Sequence, residues 1–246
     1  MDNVHILGAK LNAVHIAGPH GCKFLFAPKD AMATARRSQP RTTYHHGDLR
    51  AALLAAGVAL AREGGPQAVV LREATRRAGV APNAAYRHFA NHRALFDAVR
   101  AAALAGVARA MERELARAEA IADPRQRAHA MVAAIGRGYL GYAQAETGLF
   151  RTAFFGGAPT ATEWPADAQP VGDSGLSPFG LLGHALDAAV AAGVLPPGRR
   201  PGAEFLAWSA VHGLALLFIE GPLQDADPAF RQQLAGRLLT MVEKGL

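Results

Sequence analysis

Apolar residues in this chain recur at spacings of three and four, and no stretch of it alternates convincingly with period two. That pattern calls for amphipathic helices packed on one another, an all-α fold. Alanine dominates the hydrophobic half of the sequence, and as the strongest helix former it pulls the same way. Leu49, Leu53, Ala56 and Leu60 begin the periodicity after Gly47, and Gly64-Gly65-Pro66 stops it. Helices are expected next over 71–78 and 82–89, then over 92–120, 126–145 and 148–155. Residues 156–177 carry Gly, Pro, Asp and Ser at turn density and read as a mobile loop. Three further helices, over 179–192, 202–220 and 228–244, bring the count to roughly nine.

The front of the chain differs from the rest. Residues 1–40 mix short apolar pieces with glycine and proline and read as a flexible N-terminal extension. Met32 opens a basic arm, so it is the expected natural start, with 1–31 an upstream over-extension. From Arg36 to Arg93 about ten arginines face three acids, Asp48, Glu63 and Glu73, whereas the remainder is neutral to slightly acidic. A basic front on a neutral body suits a phosphate-binding module attached to something else. The lone Cys22 excludes an internal disulfide framework and a cysteine-based zinc site. No apolar run reaches the length of a membrane span and no secretory signal is legible, so a cytoplasmic protein is expected.

The stretch 71–89 carries the functional signal. Two helices this short are unstable alone and must pack on each other and on a third. Gly79 supplies the positive φ that turns the chain sharply between them, Val80 caps their small core, and Pro82 occupies a first-turn position where its missing N–H costs nothing. A second helix presented in this way can lay its N-terminal turns against base edges in the major groove. Its candidate DNA-facing residues are Pro82, Asn83, Ala84, Tyr86, Arg87 and His88, with Phe89 assigned to the core. Arg72, Arg76 and Arg77 can face phosphates.

These residues resemble the tetracycline-repressor (TetR) family of bacterial regulators. The likeness runs from Tyr44 through helix 47–63, the turn Ala78-Gly79-Val80 and Tyr86-Arg87-His88-Phe89 to Arg93-Ala94-Leu95-Phe96, about fifty residues. Tyr44-His45-His46-Gly47-Asp48-Leu49-Arg50, together with Trp208, His212 and Gly213 far downstream, resembles one branch of it. The resemblance implies a three-helix DNA-binding head over 41–96 and a ligand-sensing and dimerisation bundle over 97–246. It also implies a homodimer that joins through the helices near 202–220 and 228–244. Two recognition helices about one turn of DNA apart would then read a near-palindromic double-stranded operator. Helices between about 97 and 195 would enclose a ligand cavity. The chain departs from the family pattern at several positions. Val70 and Ala81 replace the usual Ser or Thr caps, Ala74 and Ala85 replace larger aliphatic residues, and His92 stands where a phosphate-facing lysine is common. These departures leave the fold expectation intact and bear on head stability and operator affinity.

Tyr139, Tyr142, Phe150, Phe154 and Phe155 gather much of the scarce aromatic content, and Trp208 and His212 share one helix face at i and i+4. They are the candidate lining for a small apolar ligand, although the sequence fits a plain core or dimer seam equally well. No cofactor is implied, and the histidines His45, His46 and His88 are too scattered for a metal. Gly172-Asp173-Ser174-Gly175 lacks nucleophile-elbow spacing and a preceding strand. The expected function is a transcriptional regulator, a repressor released by a small molecule. The alternatives are a regulator without an inducer and an all-α enzyme with a vestigial head. The enzyme needs convergent acid, base or metal groups that the sequence does not offer.

Overall fold

The computed structural model describes residues 46–154 and 169–246. The expected extension over 1–40, Tyr44, His45, Phe155 and the 156–168 part of the expected loop lie outside those residues. Among the described residues there are nine α-helices, two short 3-10 turns and no strand. The helices are α1 (His46–Gly64), α2 (Leu71–Ala78), α3 (Pro82–Ala85), α4 (His92–Glu119), α5 (Pro124–Ala145), α6 (Thr147–Phe154), α7 (Pro178–Ala191), α8 (Ala203–Ile219) and α9 (Pro228–Gly245). An all-α chain was expected, with helix boundaries close to these.

Four helices start on side-chain caps and α2, α3 and α8 do not. Side-chain oxygens of Asn91, Asp123, Ser177 and Asp227 accept N–H groups at the starts of α4, α5, α7 and α9. Proline follows three of these caps in the first turn. By contrast α2 and α3 start on Val70 and Ala81, and neither supplies a side-chain cap. Between α2 and α3 Gly79 sits at φ 69°, ψ 29°, the left-handed conformation the turn requires. The Val80 N–H then closes back on the Thr75 carbonyl at 3.0 Å.

The one clear difference from expectation is α3. Helix was expected over 82–89, but α3 ends at Ala85, and 86–88 form a tightened turn. The Arg87 and His88 N–H groups donate three residues back, to Ala84 and Ala85. This tightening drops Phe89 into the core, where it is 2% exposed, and lets the chain turn towards the Asn91 cap of α4.

The core is continuous from head to body, and α4 runs through all of it. Its first turns bury Leu95, Phe96 and Val99 near α1, and its later turns bury Leu104, Val107, Met111 and Leu115 against the body helices. A second seam joins the two parts through α6. A Cβ on Gly148 would collide with the carbonyl oxygens of Ala61 and Arg62 at the end of α1, so only glycine permits this approach. The Arg62–Glu146 ion pair (2.8 Å) borders the same seam. At the far end of α6 the Ala153 carbonyl accepts from Nε of Arg100, a buried arginine of α4 (3.1 Å).

Two substitutions test these assignments by urea denaturation at fixed protein concentration. Val70→Ser, which supplies the missing cap of α2, should stabilise the chain by about 0.5–1 kcal/mol. Gly148→Ala should destabilise it by about 1–3 kcal/mol, because backbone rather than a flexible side chain blocks the methyl group.

Candidate functional site

The head presents a polar edge built on the α2–turn–α3 unit. Asn83, Tyr86 and Arg87 are exposed, and the Tyr86 ring is 57% accessible, high for an aromatic side chain. A phenol held that far into solvent suits contact with phosphate or base edges. Ala84 and His88 are half-buried, and Pro82 opens the helix with its backbone. The position of the edge is fixed from α1. Arg50 donates through Nη1 to the His88 carbonyl at 3.1 Å and lies over the Phe89 ring at 4.4 Å.

The three arginines of α2 are not equivalent. Arg76 is bound by Glu73, and Arg77 makes a two-pronged pair with Glu63 at 2.8 Å per bond. These contacts hold Glu63 and Glu73 below the usual carboxylate range. Arg72 is exposed and has no carboxylate partner among the described residues, which leaves it the freest cation of α2 for a phosphate. His92 is exposed but its Nε2 is engaged by the Val69 carbonyl at 2.5 Å, so the ring also ties α4 to the approach to α2.

The body contains a cavity of about 540 Å³ between α4, α5, α7, α8 and α9. Apolar side chains dominate its wall, among them Met111, Ile135, Leu182, Val211 and Leu239, and no charged side chain lines it among the described residues. Of the residues expected to form a pocket, Tyr139, Phe154 and Trp208 line this cavity. His212 stands behind it, joined by a hydrogen-bond chain. Trp208 Nε1 donates to the Tyr139 oxygen (3.2 Å), and the Tyr139 hydroxyl pairs with Nδ1 of His212 (2.7 Å). The Tyr139 oxygen accepts from tryptophan and is hydrogen-bonded in turn to the histidine ring, so the three side chains form one polar chain. Burial lowers the His212 pKa and raises that of Tyr139, favouring the neutral form of each.

Phe150 does not reach the cavity. It is fully buried, edge-on to Tyr139 at 5.2 Å, and supports the wall from behind. Tyr142 faces a different cleft altogether. The aromatic clustering was legible in sequence, but Phe179 and Phe205 were not assigned to it; their rings meet at 5.3 Å, tilted by 52°, and complete the lining. Phe205 stands three residues before Trp208 on α8, a one-face spacing that could have found it, whereas Phe179 on α7 gave no such signal. Ser174 lies in a turn where its hydroxyl and N–H, with the Asp173 N–H, bind the Glu112 carboxylate. Burial opposes ionisation of Glu112, yet these three donors hold its pKa below the usual range. Among the described residues no group of His, Cys, Asp or Glu is placed to hold a metal, and no helix is long and apolar enough to cross a membrane.

Comparisons with known proteins bear on both halves. Residues 53–99 match the family model described as bacterial regulatory proteins, tetR family. Residues 132–242 match that described as tetracyclin repressor-like, C-terminal domain. The chain is a TetR-family regulator. Its helix-turn-helix head therefore belongs to a family of DNA-binding transcriptional regulators. A protein of unknown function from Rhodococcus sp. is similar over 83% of this chain and 98% of its own, at 28% identity and a TM-score of 0.64. The TetR family regulator PfmR from Thermus thermophilus shares the fold over 79% of this chain and 98% of its own, at 18% identity and a TM-score of 0.50. A TetR variant from Acinetobacter baumannii in complex with minocycline does so over 82% and 96%, at 21% identity and a TM-score of 0.50. No curated protein matches the chain.

The partial burial of His212 sets a pH dependence. His212 titrates below 6.5 in the folded protein and at about 6.5 when unfolded. The unfolded chain therefore binds more protons between those two values, and stability should fall as pH is lowered through that window. Thermal melts of the wild type and His212→Gln over pH 5–8 should differ in this slope, the variant lacking it. Tyr139→Phe strands the Trp208 N–H and His212 Nδ1, and should cost about 1–3 kcal/mol.

Proposed function

We propose that this TetR-family regulator is a homodimeric repressor that binds a near-palindromic operator through its heads and is released by a small apolar ligand held in the 540 Å³ cavity. The observation that carries the reading is the placement of α6. Its C-terminal residue Phe154 lines the cavity, while its Gly148 abuts the α1 carbonyls of Ala61 and Arg62. A ligand that displaces Phe154 pushes on a helix in contact with the head. Because packed interiors transmit displacement rather than absorb it, the head moves with it.

On this reading Asn83, Tyr86 and Arg87 contact bases and phosphates, and Arg72 contacts the backbone. Pro82 and Ala84 bring the first turn of α3 close to the groove floor, with His88 and His92 at its rim. The dimer forms through α8 and α9. Leu206, Leu216, Leu217, Phe230 and Met241 are exposed on these two helices, a concentration of apolar surface that a lone protomer leaves in water. Gly213 and Gly236 lie open on the same helices and permit close approach of a second copy.

A gel-shift titration on the DNA flanking the chain's own gene, at stated salt, tests the DNA half. Tyr86→Ala should weaken specific binding by tenfold or more with helicity and dimerisation unchanged. Equal affinity removes Tyr86 from the interface. The neutral probe N-phenylnaphthylamine tests the cavity. Its fluorescence should rise on binding, and Val211→Trp, which fills the space, should abolish that rise.

A further inference from the structure

A second cleft of about 520 Å³ lies on the outer side of α4 and α5, bounded by the end of α1 and the start of α6. Its chemistry is the reverse of the apolar cavity. Five arginines line it, Arg62, Arg109, Arg113, Arg117 and Arg137, against only two glutamates, Glu114 and Glu146. Both glutamates are already engaged. Glu146 binds Arg62 at 2.8 Å, and Glu114 bridges Arg117 (2.5 Å) and Arg137 (3.1 Å). Arg109 and Arg113, one turn apart on α4, have no carboxylate within ion-pair distance among the described residues. The cleft therefore carries a surplus of three positive charges, two of them uncommitted.

Tyr142 adds an independent observation. The residue is 9% exposed, yet its hydroxyl has no hydrogen-bond partner among the described residues and it lines this cleft. It lies directly over α4 at Gly106, where a Cβ would collide with the hydroxyl oxygen. Burial is the main influence on the phenol and pushes its pKa up to about 12, with Arg62 and Arg109 close enough to act on it in the opposite direction. It is thus a fixed donor at working pH. The hydroxyl reaches the cleft, and an unpartnered donor beside arginines is completed by an acceptor that carries negative charge.

We propose that the cleft between α1, α4 and α5 binds a small polyanion, a phosphate- or carboxylate-bearing molecule whose charged group sits between Arg109, Arg113 and the Tyr142 hydroxyl. The occupant is not operator DNA. Arg50, near the start of α1, touches the recognition edge at His88, whereas Arg62 of the cleft is twelve residues further along. At 1.5 Å per residue that is about 18 Å from the DNA-facing surface. The occupant also touches α1 and the body at once, so it bridges the head's first helix to α4 and α5. This site is separate from the apolar cavity and does not depend on the ligand proposed there.

Isothermal titration of the full chain with inorganic pyrophosphate, and separately with citrate, at constant ionic strength tests this. Saturable uptake of one anion per chain is expected, and the tighter of the two identifies phosphate or carboxylate as the group recognised. Arg109→Gln combined with Arg113→Gln should weaken binding by tenfold or more, and Tyr142→Phe by several-fold. Gly141→Glu is a second probe that leaves the core alone. The residue is exposed at the cleft with open space around it, and the new carboxylate should abolish binding. A head variant, Arg72→Gln with Arg87→Gln, should bind as the wild type does. Absence of saturable uptake of either anion overturns the proposal. So does unchanged uptake in the cleft variants, or loss of uptake in the head variant.

Discussion

Everything in this chain hangs on α4. It is 28 residues long, about 42 Å at 1.5 Å per residue, and buries side chains along its whole length. The head could not stand without it. α2 and α3 have eight and four residues, and neither has a side-chain cap. Helices of that length have no stability of their own in water, so their geometry is dictated by α1 and α4. Leu95 and Val99 of α4 reach α1 at Gly57, whose missing side chain lets the two helices close on each other. A head assembled in this way cannot reorient independently of the helix that completes its core.

The second seam makes that dependence two-sided. α6 meets α1 through Gly148 and meets α4 through the Ala153 carbonyl, where Arg100 is held. Arg100 is a buried cation whose Nε is satisfied by a backbone oxygen at the end of α6, a position that shifts whenever that end shifts. Burying a charge is tolerable only while its partners stay in place, so the contact favours a few discrete arrangements over continuous drift. The cavity wall begins one residue further on, at Phe154. Cavity shape and head position are therefore mechanically adjacent even though they lie in different parts of the sequence.

Much of this was legible from residue order alone, because the signals were local. Gly79 announces a left-handed turn, Asp123-Pro124 the end of the helix before it, and spacings of three and four the faces of the long helices. The end of α3 was not legible. Residues 82–89 read as one helix, and only the need to bury Phe89 and to restart at Asn91 explains why it tightens after Ala85. The cavity was legible as aromatic enrichment but not residue by residue. Tyr139, Phe154 and Trp208 were found; Phe205 was missed although it stands three residues before Trp208 on one face of α8, and Phe179 was missed because only tertiary packing brings it there. The pairing of Arg77 was likewise invisible, since Glu63 lies on another helix, whereas Glu73 and Arg76 stand at i and i+3 on α2, a spacing the sequence does show.

Tyr139 and Tyr142 show where sequence reasoning must hand over to packing. They are three residues apart on α5 and look interchangeable on a helical wheel, roughly 60° apart. That angle is enough to place them on opposite sides of the boundary between two environments. Tyr139 turns to α8, where Trp208 and His212 both bond its hydroxyl, and the result is a self-contained polar cluster at the edge of an apolar cavity. Tyr142 turns to α4, where Gly106 lets its hydroxyl settle among arginines without a partner. One phenol is consumed by the fold and the other is left with a valence open. In a buried side chain, that difference distinguishes a group that holds the structure from one that waits for a ligand.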